Sequence, residues 1–319
     1  MLNHLFAPFL ISLLISALLT PLAGRLAVRL GRVSPPNPSV DGHTRATPHL
    51  GGLAVLCAVL PFLLSSKETG WASGAVGMML VGLADDFFVL SPVRKLIGQA
   101  GAGAVTVACG LRLDLSGVSP LDAALTVLWL VAIANAFNVI DMMDGLASGI
   151  GGIAGLGFAV ALTWLPESAA IAAALAGGLF GFLLHNFHPA RIFMGDTGSL
   201  FAGALLGSLA VTLQRGGAGI AGLLLIGFPL FEALFLVVVR TRQGRPWYRA
   251  SRDHTAQRLV QAGCSIRGAV LALYAVALLC AVVALFILRQ PPRVSYLAAG
   301  AFVGVGLLAG WGLAKVKME

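Results

Sequence analysis

Residues 121–138 read LDAALTVLWLVAIANAFN, an apolar run with a single charged side chain, Asp122. About 20 such residues allow a helix to cross the hydrocarbon core of a bilayer. Similar runs recur along the whole chain, so we predict about eleven transmembrane helices joined by short polar connections. The predicted spans lie near residues 5–22, 48–66, 70–85, 96–113, 121–138, 145–165, 168–187, 197–214, 217–239, 269–288 and 295–314.

The composition supports this architecture. Of the 319 residues, 58% are hydrophobic and 11% are charged, whereas about 25% of the residues of a soluble domain are charged. So few charges cannot cover a globular surface, which excludes a cytosolic enzyme and a secreted disulfide module. We therefore predict an all-α fold, a polytopic membrane helix bundle that forms one integral membrane domain over residues 1–319.

The basic residues predict the orientation of the bundle. With the N-terminus outside and the C-terminus inside, sixteen of the 21 lysines and arginines lie in inside loops. Cytoplasmic loops are the ones that collect basic residues, so we predict the N-out/C-in topology, with a large cytoplasmic loop near residues 240–268. Basic residues are not interleaved with stacking aromatics as in nucleic-acid-binding modules, so we expect no nucleic-acid partner.

Carboxylates at predicted helix ends are the first functional signal. Asp85 and Asp86 end the third predicted span, and adjacent carboxylates repel each other unless a cation lies between them or one takes a proton. Asn138, Asp141 and Asp144 follow the fifth span at intervals of three, a spacing that places neighbours on one helix face. Charged groups near hydrocarbon cost about 2.5–3.5 kcal/mol each, so their presence indicates a function.

The same predicted face carries two further polar segments. Gly195-Asp196-Thr197-Gly198-Ser199 begins a span, and such a helix start aims backbone N–H groups at an anion. The inside loop supplies Arg252 and His254, and arginine suits phosphate oxygens. Magnesium needs one or two protein carboxylates together with substrate phosphates and water. We therefore expect Mg²⁺-dependent phosphoryl transfer from a soluble donor to a lipid acceptor.

At these residues the chain resembles the polyprenyl-phosphate N-acetylhexosamine-1-phosphate transferases, which include undecaprenyl-phosphate GlcNAc-1-phosphate transferases and the phospho-MurNAc-pentapeptide translocase. The resemblance covers roughly residues 20–265. Its motifs are His43-x4-Pro48-x2-Gly51-Gly52, Asp85-Asp86 with Lys95 and Gln99, Asn135-x2-Asn138-x2-Asp141-x2-Asp144-Gly145, and Asn186-x2-Pro189-Ala190 running into Phe193-Met194-Gly195-Asp196.

The resemblance implies transfer of an N-acetylhexosamine-1-phosphate from a UDP-sugar to polyprenyl phosphate at the cytoplasmic face of the inner (plasma) membrane. It implies Mg²⁺ as the cofactor, with Mn²⁺ as a substitute, bound by Asn138 and Asp196. A homodimer is one option for the assembly. The remaining residues it assigns are catalytic Asp85, Asp86 and Lys95 and substrate-binding His43, Asp141, Asp144, Asn186, Arg252 and His254.

One departure from the family bears on the donor. Many members carry a His-x-His-His cluster where this chain has His254-Thr255-Ala256-Gln257, so only the first histidine remains. This counts against a MurNAc-pentapeptide donor and favours the branch acting on O-antigen or capsule sugars. Two other classes of protein are alternatives. A CDP-alcohol phosphatidyltransferase would have an arginine shortly after Asp144-Gly145, and this chain lacks it. A secondary transporter with aspartate ion coupling would need acids near the middle of its spans, and Glu232 is the one midspan acid here.

Overall fold

The computed structural model describes residues 3–35, 46–67, 69–246, 248, 252–316 and 318. These residues form thirteen helices and two very short strands. The helices are α1 (Asn3–Arg29), α2 (Gly52–Ser65), α3 (Thr69–Phe88), α4 (Pro92–Ala108), α5 (Ser119–Ile140), α6 (Leu146–Ala161), α7 (Pro166–Asn186), α8 (Gly195–Arg215), α9 (Gly219–Leu225), α10 (Gly227–Arg242), α11 (Thr255–Gln261), α12 (Ile266–Ile287) and α13 (Pro292–Ala314). The strands are β1 (Val33–Ser34) and β2 (Thr47–Pro48), which pair antiparallel.

The prediction of a polytopic helical membrane protein is confirmed. Each predicted span overlaps a helix, but within the described ranges only six helices are long and apolar enough to cross a membrane alone. These are α1, α5, α7, α8, α12 and α13; a bent pair of helices would make a seventh span. The helices α2 and α6 have only 14 and 16 residues. Eleven spans and the N-out/C-in orientation therefore stay predictions.

The prediction of one continuous helix over residues 217–239 is wrong. The chain forms two helices, α9 and α10, which meet at an angle of 70° with a break at Ile226. The sequence here is apolar throughout, so hydropathy alone could not locate the break. The predicted loop near 240–268 also contains a helix, α11.

Helix α8 lies at the centre of the bundle. Every side chain from Thr197 to Leu213 is buried, between α3, α5 and neighbouring helices. The small residues of α8 permit this close burial. The hydrophobic effect does not drive helices together inside a bilayer, so they associate through close van der Waals packing, which small side chains allow. At Gly82 of α3, an added Cβ would collide with the carbonyl group of Asp196 at the start of α8. The two helices therefore meet backbone to backbone beside the predicted functional residues.

Candidate active site

The start of α8 is bound by a carboxylate from α3. Asp86 accepts hydrogen bonds from the backbone N–H groups of Asp196 and Thr197, both at 3.0 Å, and from the Thr197 hydroxyl at 2.6 Å. Gly195 has φ +73°, and a Cβ there would also press on the Asp86 carboxylate. The helix start is thus aimed at an anion as predicted, but the anion is a side chain of the protein itself.

Lys95 of α4 lies between two carboxylates. Its ammonium forms ion pairs with Asp196 and, at 3.0 Å, with Asp85. Asp85 also accepts the backbone N–H of Leu90 at 2.6 Å. The predicted repulsion between Asp85 and Asp86 is therefore relieved by separation, because one carboxylate faces a lysine and the other faces the amides of α8.

Asn138 connects α5 to the same carboxylate. Its amide nitrogen donates to Asp196 Oδ1 at 2.7 Å and to Ser199 Oγ at 2.8 Å. The amide nitrogen is committed, so the carbonyl oxygen of Asn138 is the atom that remains for a cation. The structure thus brings Asn138 and Asp196 into direct contact across 58 residues of sequence.

Asp141 and Asp144 do not share a helix face, so the prediction drawn from their spacing is wrong. Helix α5 ends at Ile140, and the chain turns through Gly145, whose φ of +79° few residues other than glycine adopt readily. Asp144 is buried and accepts the backbone N–H of Ala190 at 2.9 Å, with His188 Nδ1 at 2.8 Å. Burial, together with the negative charges of Asp196, Asp86 and Asp144, raises the pKa of Asp141 well above its usual range.

Asn186 holds the loop that carries the next motif. Its amide oxygen accepts the N–H of Gly145 and the hydroxyl of Ser148, and its amide nitrogen donates to the carbonyl of Ile192. All three bonds join protein segments, so the side chain fixes the positions of α6 and the α7–α8 connection. Its predicted contact with substrate stays a prediction.

Glu232 of α10 organises the beginning of α11. This carboxylate is only 2% exposed and accepts from the backbone N–H and the hydroxyl of Thr255, at 3.1 and 2.6 Å. It also contacts His254 Nδ1 at 3.1 Å. Because a carboxylate accepts hydrogen bonds, Nδ1 carries the proton and Nε2 is left for a ligand. The midspan acid thus closes an internal hydrogen-bond network.

These side chains surround one cavity of about 850 Å³. Nine of the predicted site residues line it, namely Asp85, Asp86, Asn138, Asp141, Asp144, Asn186, Asp196, Arg252 and His254. Lys95 lies behind them, bonded to two of the carboxylates. His43 lies outside the described residues. The nine residues come from five separate stretches of the chain.

Sequence reasoning missed several residues of this cavity. Arg32 lines it and lies with its guanidinium carbon 4.8 Å from the centre of the Phe87 ring, although the sequence indicated only a basic loop residue. His49 also lines it, within the Pro48-x2-Gly51 motif. The positioning role of Glu232 left no local signal, because its partners lie more than 20 residues away.

The oxygen atoms at this site are of the types that bind Mg²⁺. Among the described residues no group of three or more His, Cys, Asp or Glu side chains could hold a metal alone. Mg²⁺ does not need such a cage, since it usually keeps waters and substrate phosphates beside one or two carboxylates. The Asp196 carboxylate and the Asn138 carbonyl oxygen are ligands of this kind, and four aspartates line the cavity around them.

Comparisons with known proteins identify relatives of this chain. A model of the family described as glycosyl transferase family 4 matches residues 69–214. The chain is 34% identical to a probable undecaprenyl-phosphate N-acetylglucosaminyl 1-phosphate transferase of Bacillus subtilis, over 83% of this chain and 80% of that protein. It is also 34% identical to a decaprenyl-phosphate N-acetylglucosaminephosphotransferase of Mycolicibacterium smegmatis, over 78% and 73%. A phospho-N-acetylmuramoyl-pentapeptide-transferase of Desulforudis audaxviator is 34% identical, over 87% and 95%.

Proposed function

This chain belongs to the glycosyl transferase family 4 superfamily of polyprenyl-phosphate N-acetylhexosamine-1-phosphate transferases, and we propose that it makes a polyprenyl-diphosphate-sugar. The donor is a UDP-N-acetylhexosamine, the acceptor is undecaprenyl or another polyprenyl phosphate, and the second product is UMP. The reaction takes place at the cytoplasmic face of the inner membrane. It is the first membrane step in the synthesis of a cell-envelope glycan.

The single observation that carries this proposal is the contact of Asp196 with both Lys95 and Asn138, with Asp85 on the other side of Lys95, at one wall of the cavity. Phosphoryl transfer requires positioning and charge neutralisation more than covalent chemistry by the protein. A cavity that holds both anionic and cationic groups at the end of a helical bundle meets this requirement for a lipid acceptor and a soluble donor.

The reaction balances without a strong base. An oxygen of the lipid phosphate forms a bond to the β-phosphorus of the donor while the bond between that phosphorus and the bridging oxygen breaks, and UMP leaves. A phosphate monoester has its second pKa near 6, so the nucleophile is already largely ionised at neutral pH. Asp86 is occupied with the amides of α8, which suits a positioning role.

Of the other polar residues, some would bind the cation and others would bind the sugar donor. Asn138 and Asp196 would hold Mg²⁺, which when bound neutralises charge on the pyrophosphate. Lys95 balances Asp85 and Asp196 and keeps both carboxylates in place. The exposed guanidinium of Arg252 is a group that binds phosphate oxygens. The Nε2 atom of His254 would accept a hydrogen bond from the donor.

The region of the missing histidines favours an N-acetylglucosamine-type donor over a MurNAc-pentapeptide donor. Gln257 lines the cavity three residues beyond His254, and it is a neutral amide where many members carry histidine. Neither the site nor the relatives supports the transporter alternative, because the grouped carboxylates lie at helix ends and transporter sites usually lie near the bilayer midplane.

The test is UMP release by the purified full chain. Each reaction contains one UDP-sugar from a panel, undecaprenyl phosphate and Mg²⁺, with parallel reactions that omit the lipid or the metal ion. We expect UMP only in the complete reaction, with UDP-GlcNAc or a related N-acetylhexosamine as donor. Release with UDP-MurNAc-pentapeptide alone would overturn the donor assignment, and no release with any donor would overturn the proposed function.

A further inference from the structure

A second cavity lies beside the C-terminal end of α1, outside the candidate active site. It has a volume of about 570 Å³ and is lined mainly by apolar atoms, with three arginines among its residues. Arg25 and Arg29 come from the last turns of α1, and Arg191 comes from the connection between α7 and α8. Pro48 and Ile192 form its inner wall.

Within the described ranges, the three arginines have no carboxylate partner. In the part of the chain that the structure describes, none of them takes part in an ion pair, and no acidic residue lines this cavity. Arg25 and Arg29 are four residues apart on one helix, a spacing at which like charges destabilise each other. A cluster of positive charge arranged in this way favours an anionic ligand.

The surroundings of the groove indicate a lipid. Leu14, Leu18 and Leu22 on α1 are 58%, 71% and 52% exposed, so the helix presents an apolar face to the bilayer up to the point where Arg25 begins the basic end. Basic pockets between membrane helices bind the headgroups of anionic lipids. The groove therefore combines an apolar wall for acyl chains with a basic end for a phosphate.

The wall between the groove and the active site is one backbone layer thick. Pro48 and Ile192 line the groove, whereas the next residues, His49 and Phe193, line the active-site cavity. The two segments are joined by a hydrogen bond from Phe193 N–H to the Pro48 carbonyl at 2.9 Å. A ligand in the groove would thus support the back of the catalytic wall without touching the substrates.

We infer that this groove binds the phosphate headgroup of an anionic glycerophospholipid through Arg25, Arg29 and Arg191. Guanidinium forks match phosphate oxygens in pairs, which gives both charge and geometry for this headgroup. The lipid is neither donor nor acceptor of the proposed reaction, so this binding site goes beyond the proposed function.

The experiment titrates the full chain in detergent with dioctanoyl phosphatidylglycerol and counts bound lipid by native mass spectrometry. Dioctanoyl phosphatidylcholine and inorganic phosphate are the comparison ligands. We expect saturable binding of phosphatidylglycerol, weakened at least about tenfold in the double variant Arg25→Gln/Arg29→Gln, because each basic residue adds to the attraction for anionic lipid. The variant Arg25→Lys/Arg29→Lys keeps the charge but lacks the guanidinium forks, so its affinity should lie between those of the unmodified chain and the glutamine variant.

A charge-matched control removes two other cations from the same end of the protein. Arg242 and Lys315 are exposed and lie against Trp311, away from the groove, so Arg242→Gln/Lys315→Gln should bind like the unmodified chain. If the first double variant fails to fold, Arg191→Gln alone makes the same test, with a weakening of several fold.

Three results would overturn the inference. The first is equal binding of phosphatidylcholine, which would remove the headgroup from recognition. The second is unchanged affinity in the groove variants, or the same loss in the control. The third is displacement of phosphatidylglycerol by inorganic phosphate or by undecaprenyl phosphate at equal concentration, which would assign the groove to a free anion or to the acceptor.

Discussion

The carboxylate of Asp86 accepts both the backbone N–H and the hydroxyl of Thr197, although the two residues are 111 positions apart. This contact places α3 and α8 in a defined register, with Gly82 and Gly195 allowing the close approach. An acid to which the family resemblance assigns a catalytic role therefore acts first as the cap of the central helix.

Two variants can separate the role of Asp86 as a helix cap from its role in catalysis. Asp86→Ala should lower stability by about 0.5–2 kcal/mol, because α8 loses its cap. Asp86→Asn should stay folded and keep substantial activity, since asparagine is also a good cap. Thermal unfolding in detergent and UMP release measure the two effects. A fully folded but inactive Asp86→Asn protein would show that the carboxylate is needed for the reaction itself.

Asp196→Asn should abolish turnover, because a neutral amide holds Mg²⁺ poorly and no longer balances Lys95. The measurement is UMP release over a range of Mg²⁺ concentrations. Asp114→Asn is the matched control, since Asp114 is exposed and outside the active-site cavity, and it should retain the unmodified rate. A near-normal rate for Asp196→Asn would remove Asp196 from the metal site.

His254→Ala should raise the KM for the UDP-sugar, because a group facing the cavity is lost. Glu232→Gln should produce a smaller change in the same direction, since the one amide oxygen cannot accept from both Thr255 and His254 as the two carboxylate oxygens do. Thr255→Ser, which keeps the hydroxyl, is the control and should leave KM unchanged. Unaltered KM and kcat in His254→Ala would mark the histidine as a bystander.

Asp141→Asn should stabilise the protein at neutral pH when divalent cations are removed. The folded-state pKa of this carboxyl is raised, so the folded state is favoured most below the ordinary value of 3.8 and loses stability as pH rises toward the raised pKa. The amide of the variant cannot ionise. The unfolding temperature of the Asp141→Asn protein should therefore exceed that of the unmodified chain by a few degrees at pH 7 and equal it in acid. A lower unfolding temperature at pH 7 would contradict this explanation.

Much of the fold follows from local sequence. The apolar runs predict nearly every helix, and the polar interval at Pro166, Glu167 and Ser168 marks the boundary between α6 and α7. Hydropathy cannot count spans securely, because a short buried helix such as α2 is as apolar as a spanning one. It also cannot detect the 70° bend between α9 and α10, which depends on packing.

Nine residues of the cavity were predictable from the sequence, but their partners within it were not. Asn138 and Asp196 meet as expected from polar helix ends on one face. The direction of each carboxylate depends on neighbours that are distant in sequence, such as Thr197 for Asp86 and Ala190 for Asp144. The bond between Glu232 and His254 has the same origin, since the bend at Ile226 sets the course of α10.

The contact at Gly82 has a consequence for how loss-of-function variants of this enzyme should be interpreted. Even alanine there would push apart two helices whose ends carry Asp86 and Asp196, so we expect activity to be lost although residue 82 does not line the cavity. A random mutagenesis survey should therefore recover this glycine alongside the aspartates, as a spacer whose lack of bulk sets the distance between them.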